Sequence, residues 1–217
     1  MTRTPGWLMQ LYPRRIWRMP AAGRKVYLTF DDGPTPGVTD RLLDQLAGYG
    51  AKATFFCVGA RVARFPGLVR RQLAEGHTIG NHTQHHRNGW QTPTADYLDD
   101  VWQADEAFRA AVGDHPRLFR PPYGKAGRRS ARALARHYRL VMWDVMPGDF
   151  YPDHDAPKVA QLVCRYVQPG SVVVLHDSPK YGAKMLDALP EILAYLRQQG
   201  FEMAALPDAD FKAPRQT

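Results

Sequence analysis

Apolar and polar positions along the chain follow two alternating periods. Short runs rich in β-branched and aromatic residues predict strands at 25–30 (KVYLTF), 53–59 (ATFFCVG), 77–82 (HTIGNH), 117–122 (RLFRPP), 139–145 (RLVMWDV), 171–177 (SVVVLHD) and 201–206 (FEMAAL). Between them, apolar residues near 3.6 spacing, mostly closed by glycine, predict helices over 38–50, 62–76, 94–113, 127–138, 156–167 and 184–200. Strands and helices in strict alternation make an α/β chain with a parallel sheet, either closed into a barrel or open and doubly wound. With 217 residues and 44% hydrophobic content, one domain of that kind suffices. It is expected over 25–207, preceded by a basic and aromatic extension at 1–24 and followed by a tail at 208–217.

Parallel α/β folds carry their chemistry at the carboxyl ends of the strands. The residues that follow the apolar runs are therefore the ones to inspect. They are Asp31 and Asp32 after the first strand, His82 and His86 after the third, Arg120 and Tyr123 after the fourth, Asp144 and Asp149 after the fifth, and His176 and Asp177 after the sixth.

In NHTQHH, His82 and His86 are four apart, so a helical turn or tight loop brings both imidazoles to one side. With a carboxylate from Asp32 they make a two-His, one-Asp set of the kind that holds zinc and leaves positions open for water and substrate. His85 competes by position but fits the spacing less well and is expected to face solvent. In TFDDGP, two adjacent carboxylates at a half-buried strand end repel each other and call for a nearby cation. An Asp-Gly turn accounts for Asp32 and Gly33 but not for Asp31. At a strand end bent by Gly33 and Pro34 the two side chains are expected to converge, one on a metal and one on its water.

In FRPPYG, Pro121 and Pro122 donate no N–H, so the amides of Tyr123 and Gly124 are candidates to face a ligand. Arg120 is positioned to hold a carboxylate, and a rigid loop with a surface arginine is the competing reading. His176 at the mouth of VVVLHDS points to proton transfer, with Asp149 as its orienting partner. Asp144 and Asp177 are assigned structural or local roles.

Charge and cysteine content change little in this picture. The formal charge of +8 permits an anionic partner, but the arginines are dispersed, and Arg128, Arg129, Arg132 and Arg136 suit a solvated helical face. No nucleic-acid motif is recognisable. The two cysteines, Cys57 and Cys164, lie in apolar runs and predict core packing, not a disulfide framework. No run approaches a membrane span, and the apolar stretch near the start is interrupted by Gln10 and by Pro13-Arg14-Arg15, unlike a secretory leader. A cytoplasmic or membrane-peripheral monomer is expected. Trp7, Leu8, Leu11, Ile16 and Trp17 among arginines either pack on the domain or rest on a membrane surface.

Taken in order, TFDDGP, HTQHH, RPPYG, the Asp149 segment and LHD resemble the five motifs of the polysaccharide deacetylase family, also called the NodB-homology domain or carbohydrate esterase family four. The resemblance covers residues 25 to about 206. It implies a distorted (β/α) barrel of about seven parallel strands and a divalent metal, usually zinc, with cobalt, manganese or nickel as substitutes. It further implies hydrolysis of N-acetyl groups on amino sugars of a chitin-like or peptidoglycan-like glycan. By position, Asp31 matches the general base and Asp32, His82 and His86 the metal ligands. Arg120 matches the arginine orienting the base, the Tyr123 amide the oxyanion donor, His176 the general acid and Asp149 its tuning carboxylate. Thr83 matches a hydroxyl residue that supports the metal loop. The fourth motif departs from the common Asp-x-x-Asp-Trp, since Met146 and Phe150 stand at its outer positions. That puts the wall of the substrate pocket in question more than catalysis. Two alternatives share these motifs: a non-polymeric or non-sugar amide as substrate, and a glycan-binding module that has lost turnover.

Overall fold

The computed structural model describes residues 2–21 and 23–208. Its centre is a seven-stranded parallel sheet in the order β5-β4-β3-β2-β1-β6, with β7 (Glu202–Met203) pairing the start of β1 (Lys25–Asp31). The others are β2 (Thr54–Cys57), β3 (Thr78–Asn81), β4 (Leu118–Phe119), β5 (Arg139–Leu140) and β6 (Val172–His176). The alternation predicts the parallel sheet, and its curling into a distorted barrel is what the family resemblance implies.

Side chains alternate across it with the two-residue period of a strand. Val26, Leu28 and Phe30 of β1, Phe55 of β2 and Val173 and Leu175 of β6 join the larger core. There they meet α2 (Thr39–Gly48), α7 (Ala156–Tyr166) and α8 (Gly182–Gln198). The intervening residues Tyr27, Phe56, Leu118, Val141 and Val172 form a smaller cluster on the opposite face, closed by Leu206, Ile16 and Met19. This inner cluster is where Asp31, two residues beyond Thr29, must point.

Three expectations need adjusting. The helix over 62–76 is two helices, α3 (Gly59–Arg64) and α4 (Pro66–Ala74), because Pro66 has no N–H to continue the first and opens the second at its first turn. The strands expected over 117–122 and 139–145 shorten to two residues each. Beyond Leu140 the chain leaves β5: Val141 bridges Ile16 and Val145 bridges Val173 on β6. A short helix, α1 (Gly6–Leu11), also appears where the pattern predicts none. Of the expected tail, residues 209–217 lie outside the described residues.

The N-terminal segment fills the gap between β5 and β6. The Ile16 N–H donates to Leu140 O at 2.8 Å, and Ile16 O accepts from Met142 N–H at 2.7 Å. Two residues on, the Arg18 guanidinium reaches the buried Asp144 carboxylate (Nε–Oδ2 3.2 Å), which also accepts from Ser171 Oγ (2.9 Å) and Val172 N–H (2.7 Å). Trp17 is buried, whereas Trp7 on α1 is 66% exposed. Arg128, Arg129, Arg132 and Arg136 are all exposed, on and just after α6 (Arg128–Leu134). Both cysteines are free, with Cys57 buried and Cys164 only partly so. Among the described residues no helix is long and apolar enough to cross a membrane.

The tie through Asp144 is testable. Asp144→Ala strands two buried donors and an arginine, so we expect a loss of about 1–3 kcal/mol in urea unfolding and faster tryptic cleavage between Arg14 and Arg18. An unchanged midpoint would contradict this account of how the segment is held.

Candidate active site

The site grows from one row of the sheet. Asp31 and His176 are register partners on the neighbouring parallel strands β1 and β6, so their side chains leave the sheet on the same face. On the other side of β1, Phe56 is the register partner of Asp31, and its ring carries the Arg120 guanidinium at 4.1 Å from the centroid. A Cβ at Gly80 of β3 would overlap the Phe56 ring, so only glycine leaves that ring its place.

Arg120 is fully buried. Its Nη1 donates to Asp31 Oδ1 and to Thr29 Oγ1, both at 2.7 Å, its Nη2 to Met142 O at 2.8 Å and its Nε to Val141 O at 3.4 Å. Asp31 is thus held by one oxygen, while its Oδ2 lies 4.0 Å from His82 Nε2.

Asp32 would point away from this face if β1 continued. Instead it takes a left-handed backbone (φ 79°), which brings its Oδ1 to 3.1 Å from His86 Nε2 and 3.7 Å from His82 Nε2. Four non-glycine residues among those described have positive φ, and all are here: Asp32, Thr83 (64°), His86 (56°) and Tyr123 (59°). Such conformations cost about 1–3 kcal/mol each and persist where the surroundings dictate them. Asn81 supplies part of that dictation. Its Oδ1 accepts from Thr83 N–H at 2.8 Å, while its Nδ2 donates to Val101 O and Asp105 Oδ1 at the outer face.

The donor atoms of Asp32, His82 and His86 lie within 4.8 Å of one another. His82 Nδ1 is 2.7 Å from Arg120 O. A carbonyl only accepts, so Nδ1 carries the proton and Nε2 offers a lone pair to the cluster. Burial, outweighing the nearby carboxylates, lowers the His82 pKa to about 4 and keeps the ring neutral. Burial opposes ionisation of Asp32, yet the close approach of His86 at 3.1 Å and the positive charge of His176 hold its pKa well below the usual range. Asp32 Oδ1 is also buried without a hydrogen-bond partner of good geometry. Two imidazoles, one of them held neutral and oriented, and an ionised carboxylate whose Oδ1 is orphaned, all aimed at one point, are a donor set of the kind a divalent cation takes.

Across the site, His176 is clasped by Asp149. The Asp149 carboxylate accepts from His176 N–H at 2.7 Å, and its Oδ1 lies 2.9 Å from Nδ1. Burial disfavours the imidazolium, but Asp149, with help from Asp31 and Asp32, overrides it and raises the pKa to about 9. Phe150 sits edge-on to this ring at 5.3 Å, so the residue that departs from the family pattern walls the histidine.

The remaining candidates separate. His85 turns away to Asp100 (2.6 Å), as expected of a residue outside the donor set. Of the two amides proposed in FRPPYG, Gly124 N–H is spent on Pro121 O, whereas Tyr123 N–H donates to none of the described residues. The Tyr123 ring is 60% exposed and packs edge-on against His86 at 4.7 Å. Asp177 is buried, accepts from Thr39 Oγ1 at 2.6 Å, and leaves no room for a Cβ on Gly33. Thr29, Phe56, Gly80 and Asn81 escape a reading that looks only at strand ends. Thr29 was findable, being two residues before Asp31 on the same face.

A curled parallel sheet with this cluster at its carboxyl edge defines a β/α-barrel enzyme. The chain belongs to the polysaccharide deacetylase family, whose model matches residues 18–142. It is 35% identical over 208 residues to a chitooligosaccharide deacetylase from Bradyrhizobium, covering 89% of this chain and 94% of that one. It is 33% identical over 195 residues to a peptidoglycan-N-acetylglucosamine deacetylase from Bacillus cereus, covering 88% and 91%. The crystal structure of the Bc1960 peptidoglycan N-acetylglucosamine deacetylase, in complex with a 4-naphthalen-1-yl-N-oxidanyl-benzamide, superposes with a TM-score of 0.86 at 31% identity, covering 94% and 95%.

The clasp on His176 sets a measurable pKa. Asp149→Asn removes the charge that raises it, so in an NMR titration the metal-free variant should titrate His176 nearer the ordinary value of about 6.5. A His176 pKa that stays near 9 in the variant would contradict the assigned cause.

Proposed function

We propose that the protein hydrolyses N-acetyl groups from amino sugars of a glycan, chitin-like or peptidoglycan-like, using a divalent cation held by Asp32, His82 and His86. The observation that carries the reading is the register pairing of Asp31 with His176, each held by its own buried partner, Arg120 and Asp149, beside that donor set. The names of the relatives support the substrate class: peptidoglycan and chitooligosaccharide deacetylases.

A cation held by Asp32, His82 and His86, zinc or a close substitute, would supply a Lewis acid of the kind that brings the pKa of water from about 15.7 toward about 7. Asp31 does the base chemistry. With Oδ1 committed to Arg120, its free Oδ2 accepts a proton from the attacking water. Tyr123 N–H donates to the acetamide oxygen as it gains negative charge, stabilisation whose loss typically costs ~10²-fold or more. His176, its Nδ1 proton held by Asp149, presents Nε2–H to the departing nitrogen, since an unprotonated amide anion is a very poor leaving group. One water is consumed, and acetate and a free amine result.

The sign of the pH dependence follows from His176. Its acid form is present below its pKa, so the rate should fall on the alkaline side, with a limb at or below about 9 because a bound cation adds positive charge. Acetate release from N-acetylglucosamine oligomers tests the whole. Chelator should abolish it and added Zn²⁺ or Co²⁺ restore it, and Asp31→Asn should lower it by ~10²–10⁴-fold. Glycan binding with no metal-dependent acetate release would favour a binding module instead. Release only from non-sugar amides would replace the substrate class.

A further inference from the structure

Just past Asp32 in the chain, the loop after β1 and the helix α3 enclose a cleft of about 330 Å³ lined by Thr35, Pro36, Arg61, Arg64, Phe65 and Pro179. It lies at the same edge of the barrel as the catalytic cluster. Pro34, which Arg61 grips, is two residues past Asp32, within about 8 Å along the chain. Pro179 follows His176 and Asp177 on the neighbouring strand.

The two arginines are the informative part. Arg61 Nη1 donates to Pro34 O at 3.2 Å and Thr35 Oγ1 at 3.0 Å, which fixes the guanidinium and leaves its Nε–H and Nη2–H edge free. That edge is the planar fork that receives a carboxylate or phosphate with two parallel hydrogen bonds. Arg64 lies over the Phe65 ring at 5.2 Å. Among the described residues neither has a carboxylate within ion-pair distance. Their neighbour Arg71, by contrast, pairs with Asp40, Asp44 and Glu75. The apolar walls, Pro36, Phe65 and Pro179, offer flat surface to a sugar ring or a short alkyl stem.

We propose that this cleft binds an oxyanion, carboxylate or phosphate, carried by the substrate beside the reacting acetamide, with Arg61 as the fixed fork and Arg64 as the second cation. This rests on the deacetylase reading above and narrows it: the preferred substrate is an acidic amino-sugar glycan, not a neutral one. A purely structural Arg61 would brace Pro34 and Thr35 and leave Arg64 without consequence, so Arg64 carries the test.

Calorimetric titration of the intact protein with N-acetylmuramic acid, its carboxamide, N-acetylglucosamine 6-phosphate and N-acetylglucosamine reads the site without turnover. At low salt we expect at least one acid to bind ~10-fold or more tightly than its neutral counterpart. Arg64→Glu should bring that ratio toward one, with Arg64→Gln intermediate. The arm that responds identifies the oxyanion. Equal affinities within both pairs, no measurable binding of either acid, or a preference that survives in Arg64→Glu would overturn the proposal. Charge-dependent binding without acetate release would support the cleft and count against the deacetylase reading alone.

Discussion

Everything in the site leans on one buried cation. Arg120 has no solvent exposure, and four of its hydrogen bonds run to Asp31, Thr29 and the carbonyls of Val141 and Met142. A guanidinium so placed is tolerable only while its partners remain, because removing one partner of a buried pair typically costs about 3–5 kcal/mol. The pair therefore constrains both ways. The barrel interior must keep Asp31 fixed, and Asp31 must keep Arg120 paired. Phe56 provides the surface under the guanidinium, and Gly80 leaves room for Phe56. Even the main chain of Arg120 takes part, since its carbonyl fixes the proton of His82.

That constraint explains where the backbone is strained. With Asp31 committed to the inner face, Asp32 reaches the histidines only by turning left-handed. Thr83 and His86 make the same turn on the opposing loop, and Tyr123 on a third. The compensation comes from outside the site, through Asn81 and its contacts with α5 (Thr94–Val112) and through Asp177 and Thr39 behind Gly33. A cation bound at Asp32, His82 and His86 would thus meet donors held in place by folding energy stored elsewhere.

Much of this was legible in the residues. Alternating periods gave the parallel sheet, and looking just past each apolar run gave Asp31, Asp32, His82, His86, Arg120, Asp149 and His176. What stayed hidden depends on contacts distant in sequence. Periodicity cannot show that the short β4 and β5 hand over to residues 141–145 and to Ile16, because the gap exists only once the barrel has curled. Nor does FRPPYG reveal which amide is free, since that depends on Gly124 closing a turn onto Pro121. The cleft at Arg61 and Arg64 was invisible for the same reason: it forms only once the loop after β1 is packed beside α3.

The central claim is that two adjacent aspartates have unequal jobs, Asp32 holding a cation and Asp31 serving as a base anchored by Arg120. Co²⁺ titration followed by its visible absorption separates them directly. The account predicts one ion bound by the unaltered protein and by Asp31→Asn, and affinity lowered by ~100-fold or more in Asp32→Asn. Loss of the ion in Asp31→Asn with Asp32→Asn unaffected, or equal loss in both, would contradict it.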